Sequence, residues 1–154
     1  MFSTQVAGAT SFFSFDPEHG KGSEVTRMTA TGEGVNWSLS PDGSLLAIVR
    51  MGEHEGRIRF MSLPSGVVRE VVLKDWPRLS NVDWSADEKG LLMPSTKPNS
   101  DPVLLFVDAE GKARVIWKGQ KYGPLLYAIP SPDGRYLALN MYVGERNVWM
   151  IENF

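Results

Sequence analysis

Histidines, carboxylates and serines are the side chains through which this 154-residue chain could do chemistry, and their placement narrows the choices. Glu53-His54-Glu55 combines an imidazole with two carboxylates, donors that suit a divalent cation. Adjacent residues of a loop or strand point apart, however, and the other histidine, His19, lies in a turn of a different repeat. The tripeptide therefore reads as a solvated loop, and no metal ligand is assigned. A serine nucleophile needs an oriented base beside it. Both histidines sit in polar, glycine-bearing loops, and no G-x-S-x-G elbow is present, so no catalytic residue is assigned and the chain reads as a non-enzyme. Gly32-Glu33-Gly34 has no Lys-Ser/Thr after it and no strand-to-helix context, which removes the phosphate-loop reading. No cofactor is expected.

The glycines and aspartates are better explained by the elements that carry them. Trp37-Ser38-Leu39-Ser40-Pro41-Asp42-Gly43 returns as Trp84-Ser85-Ala86-Asp87-Glu88-Lys89-Gly90 and as Ile129-Pro130-Ser131-Pro132-Asp133-Gly134. The marker serines Ser40, Ser85 and Ser131 stand 45 and 46 residues apart. A period of about 40–50 residues built of short strands is the mark of a β-propeller blade. Ser-Pro-Asp-Gly suits a type I turn, with Pro presetting φ, Asp bonding nearby N–H groups and Gly accepting φ > 0. Asp42, Asp87 and Asp133 thus punctuate blades rather than form a cation-binding ring. The middle copy lacks the Pro and reads as one residue longer, with Gly90 standing for Gly43.

The strands follow from this frame. Leu45 to Arg50 is a continuous apolar run suited to burial on both faces, and Arg57 to Leu63 alternates. The expected fold class is all-β: a propeller arc of about three four-stranded antiparallel blades, an incomplete ring within a single domain spanning 1–154. Residues 10–29 supply the outer two strands of a first blade and 35–74 a second. Residues 81–118 supply a third, and 126–154 a last blade lacking its fourth strand. Trp37 and Trp84, taken as equivalent, are expected to pack between blades.

Composition excludes several functions. Net charge is −2 and no basic run exists, so the footprint of nucleic-acid binding is missing. The absence of cysteine rules out disulfides and thiolate metal sites. The longest apolar run, Leu45 to Val49, is far too short to span a membrane, and the N-terminus lacks signal-peptide character. The chain as written is expected in the cytoplasm, without membrane contact.

The Ser-Pro-Asp-Gly turn followed by Ser44-Leu45-Leu46-Ala47-Ile48, and again by Arg135-Tyr136-Leu137-Ala138-Leu139, resembles the TolB-like, WD-repeat-like β-propeller family. The ending Asn147 to Phe154 resembles the C-terminus of bacterial multidomain proteins in which such a propeller follows a serine/threonine kinase or winged-helix domain. The resemblance implies a non-catalytic interaction or sensor module of a larger bacterial signalling protein, acting through a protein partner, a ligand, or self-association that closes the ring. Two alternatives stand beside it: a propeller segment gating a separate peptidase-type domain, and a truncated product without independent function. Trp76, Arg78, Tyr122 and Tyr127 are the candidate contact residues, because Trp, Tyr and Arg are enriched at interface hot spots. Replacing Gly43 or Gly134 with Val is expected to lower the thermal unfolding midpoint clearly, since a β-branched residue tolerates φ > 0 poorly. Wild-type melting of both variants would refute the turn assignment.

Overall fold

The computed structural model describes residues 1–6, 8–29, 34–50, 55–63, 65–119 and 123–141. Every regular element among them is a strand. Blade 1 holds β1 (Phe2–Val6), β2 (Ala9–Asp16) and β3 (Gly20–Thr29). Blade 2 holds β4 (Val35–Leu39), β5 (Leu45–Arg50), β6 (Gly56–Ser62) and β7 (Val68–Leu73). Blade 3 holds β8 (Asp83–Trp84), β9 (Gly90–Ser95), β10 (Val103–Asp108) and β11 (Ala113–Lys118). Blade 4 contributes β12 (Leu125–Pro130) and β13 (Leu137–Met141). All pairs are antiparallel, and each strand pairs with its neighbour in sequence. The strand expected over 147–152 lies outside the described residues. Blade 1 gains a strand that sequence reading omitted: β1 pairs with β2 from Phe2↔Phe13 to Val6↔Ala9.

The core lies between sheets rather than inside one. Side chains alternate across a strand, so a sheet buried on both faces feeds two cores. Leu46 and Ile48 of β5 join Phe12 and Met28 of blade 1. Ala47 and Val49 of the same strand join Leu91, Met93 and Leu105 of blade 3. Leu92 and Leu104 face the other way, onto Leu125 and Ala128 of blade 4. The continuous apolar run at Leu45–Arg50 is thus explained: its four central residues are all buried.

The turns between the first two strands of blades 2, 3 and 4 share one geometry. The N–H groups of Ser40, Ser85 and Ser131 donate to the carbonyls of Leu45, Gly90 and Tyr136 at 2.8–2.9 Å. The span is the same in all three, so the middle copy is not longer. Its equivalent of Gly43 (φ 74°) and Gly134 (φ 69°) is Glu88, at φ 59°. Gly90 matches Leu45 and Tyr136 instead, and is glycine for lack of room. A Cβ there would fall 2.5 Å from the Val107 carbonyl oxygen and 2.6 Å from the Phe106 ring.

The same register corrects the tryptophans. Leu39 pairs with Leu46, and Trp84 with Leu91, so Trp84 is the counterpart of Leu39. Trp37 is the counterpart of Val82. The two indoles are offset by one strand repeat and still share a face, because the offset is even.

A left-handed conformation costs a non-glycine residue about 1–2 kcal/mol. Glu88→Gly is therefore expected to raise the unfolding midpoint by roughly 2–8 °C, followed by circular dichroism. An unchanged or lower midpoint would mean that the Glu88 conformation carries no strain.

Candidate interaction surface

Each Ser-x-Asp turn closes a small hydrogen-bond net. The hydroxyls of Ser40, Ser85 and Ser131 donate to Asp42, Asp87 and Asp133 at 2.6–2.7 Å. The same carboxylates accept the backbone N–H groups of Ser44, Lys89 and Arg135. The serine oxygens in turn accept the N–H groups of Leu45, Gly90 and Tyr136 at 2.9–3.2 Å. In each turn the serine hydroxyl is the main reason that the aspartate pKa lies below its ordinary value. These serines and carboxylates are fully engaged in holding the turn.

The tryptophans tie successive blades together. Trp84 Nε1 donates to the Ser38 carbonyl at 3.2 Å, and its indole meets the Phe60 ring edge-on, with centroids 6.1 Å apart. Trp37 Nε1 donates to Ser3 Oγ at 3.0 Å, and its ring meets Phe12 at 5.8 Å. Each indole thus joins its own inner strand to the blade before it. The Asn36 side-chain amide adds a bond to the Ser80 carbonyl of the next blade.

The four candidate contact residues fall differently. Trp76, in the link between β7 and β8, is half-buried against the core shared by blades 2 and 3. Lys97 Nζ covers its ring at 4.3 Å. Arg78 is exposed, while its carbonyl accepts the Ser95 hydroxyl at 2.6 Å. Tyr127 is exposed on β12. Tyr122 lies outside the described residues, as do Glu53 and His54. Among the described residues, no three of His, Cys, Asp and Glu gather into a metal-binding group. Within the same residues, no helix is long and apolar enough to cross a membrane.

Sequence reasoning missed the face that surrounds Tyr127. The Asn36 side chain of blade 2 reaches toward blade 3, Ser38 two residues on shares its face by strand alternation, and Tyr127 and Ile129 hold the matching positions in blade 4. Ile129 is 53% exposed and Tyr127 45%. Tyr127 is among the sequence candidates; placing Ile129 beside it on one face required the strand register.

Asp83 holds the same position in blade 3. Burial pushes its carboxyl up to about 6, and Asn81 Nδ2 donates to its Oδ2 at 3.1 Å.

Four antiparallel sheets stacked in chain order, with cores between them and inner strands side by side, define an arc of a β-propeller. Its fold is TolB-like. It superposes on TolB from Acinetobacter baumannii with a TM-score of 0.66 at 18% identity, over 91% of this chain and 36% of that one. A putative TolB from Agrobacterium tumefaciens gives 0.60 at 18% identity, over 88% and 51%. Kuenenia stuttgartiensis hydrazine synthase gives 0.66 at 18% identity, over 88% and 44%. The chain thus spans about a third to a half of the length of these structures. No protein-family model and no curated protein matches its sequence.

Asp83 supplies a pH prediction. Its folded pKa of about 6 lies above the ordinary value of 3.8, so at pH 8 the ionised group opposes folding. The penalty falls as pH drops below about 6 and vanishes only well below 3.8, where both states are protonated. Asp83→Asn is expected to stabilise the protein by about 1 kcal/mol at pH 8, after allowance for solvent screening. Urea unfolding at pH 8, 6 and 4 should show that gain fading as pH falls. An equal gain at all three would refute the assignment.

Proposed function

We propose that this chain is a non-catalytic interaction module, an arc of a larger propeller assembly that works through the blade face at its trailing end. The carrying observation is the exposure of Tyr127 and Ile129. In blades 2 and 3 the corresponding positions are Asn36 with Ser38 and Asn81 with Asp83, polar residues that the following blade covers or approaches. In blade 4 they are large and apolar. A second copy of the chain would bring blade 1 against this face, where half-buried Phe2 and Phe13 stack at 5.2 Å on the side opposite Phe12. Head-to-tail contacts of this kind close into a ring when the rotation permits. Two copies supply eight blade units, within the range of about four to eight that propellers use.

The non-catalytic reading is supported by the recurrent serines and aspartates, which hold turns rather than a reactive group. The setting in a bacterial signalling or sensor protein is supported by the resemblance of Asn147 to Phe154 to kinase-linked propellers.

Sedimentation velocity at two protein concentrations tests the reading. The wild type is expected to form a defined dimer. Ile129→Asp, which installs the charge that blade 3 carries at Asp83, is expected to weaken association at least about tenfold while leaving thermal melting close to wild type. A folded wild type that stays monomeric at both concentrations would overturn closure by a second copy.

A further inference from the structure

Blades 2 and 3 share a register, and superimposing them residue by residue exposes one departure from the repeat. Phe60 opposite Arg69 corresponds to Phe106 opposite Arg114, and in both blades the guanidinium lies over the ring, at 4.8 and 4.6 Å. From that anchor, Arg57 and Arg59 of β6 correspond to Val103 and Leu105 of β10. Arg50 corresponds to Ser95, and Glu70 to Val115. In blade 3, Ser95, Val103 and Leu105 are buried, and the two apolar ones belong to the core shared with blade 2. Blade 2 instead turns three arginines and one glutamate toward blade 1.

These side chains line a cleft of about 250 Å³ whose apolar part is Met28 of β3 and Ile48 of β5. Arg57 donates through Nη1 to Glu70 and through Nη2 to Glu55, each at 2.8 Å. Arg59 is half-buried and, among the described residues, has no ion-pair partner. With Arg57 bound to both Glu70 and Glu55, the guanidinium of Arg59 is the charge the cleft holds toward a ligand, beside a wall in which Met28 and Ile48 are almost wholly buried. Like charges gathered against apolar surface repel one another, and a repeat that packs well with Val and Leu has no structural need of them. Guanidinium forks match the oxygens of carboxylates and phosphates.

We infer that the cleft between blades 1 and 2 is a binding site for a small oxyanion of the phosphate or carboxylate class, with Arg59 as its principal ligand and Arg50 and Arg57 as flanking charges. The site is independent of ring closure, so failure of the dimer test leaves it untouched.

Thermal unfolding of the full chain with inorganic phosphate, or separately with citrate, against sodium chloride at matched ionic strength tests it. At about ten times a millimolar dissociation constant, the bound anion is expected to raise the midpoint by roughly 3–6 °C. Phosphate and citrate also stabilise proteins generally, by exclusion from the surface, so the variant decides. Arg59→Leu copies the residue at Leu105, should melt at or above wild type in chloride, and is expected to lose the anion-specific increment. Arg59→Gln serves the same purpose if the leucine variant fails to fold. A response to phosphate alone assigns a phosphoryl ligand, and a response to citrate alone a carboxylate. Equal increments in wild type and variant, or no heat on titrating both anions into wild type, would overturn the site.

Discussion

A strand turns successive side chains to opposite faces, and in this chain both faces of the middle sheets are buried. Everything else depends on that constraint. Leu46 and Ile48 cannot be satisfied without blade 1, nor Ala47 and Val49 without blade 3. No single sheet has a core of its own, so stability passes from blade to blade, as in other repeat architectures. Each fully buried leucine or isoleucine contributes about 1.5–3 kcal/mol relative to exposure. A sheet covered on one face only forgoes part of this.

Register must therefore be held tightly, because a slip of one residue would exchange the two faces of a strand. The Ser-x-Asp turns do this. Three of them reproduce the same serine-to-aspartate and N–H-to-serine bonds despite different residues at the other positions. Glu88 shows how strong the frame is: the turn keeps its shape with a left-handed glutamate where its two counterparts have glycine. Between blades, the indoles of Trp37 and Trp84 supply both apolar area and a directional N–H bond to the preceding blade.

Much of this was legible in the sequence. The spacing of Ser40, Ser85 and Ser131 revealed the blade period, and the turn chemistry located the first two strands of blades 2, 3 and 4. Two features misled. Trp-Ser occurs at Trp37 and at Trp84, so aligning on the dipeptide shifted the middle copy by two residues and made its turn look longer. The even shift hid the error, because both indoles still face the preceding blade. β1 was missed because Phe2 to Val6 is short and stands before the repeated motif, with no counterpart to align on. Tyr127 is a candidate by residue type alone, whereas its pairing with Ile129 on one face and the arginine cleft are visible only through cross-strand pairing. Their meaning lies in which position of another blade each residue replaces.

Equivalent positions of successive blades face the same packing problem and differ in how they meet it. At the positions facing the next blade, polar residues suffice where that blade is present: Asn36 bonds to the Ser80 carbonyl, and the Ser38 carbonyl accepts the Trp84 indole N–H. At the positions facing the previous blade, Val103 and Leu105 suffice for packing. The chain breaks the first pattern at Tyr127 and Ile129 and the second at Arg57 and Arg59. Both breaks run against local packing: one leaves large apolar groups in water, the other gathers like charges beside an apolar wall. A fold whose other blades solve the same problem with ordinary residues does not require either. The first break stands on the face of blade 4 and the second between blades 1 and 2, so each can be altered without the other, using a residue that another blade carries at the same position.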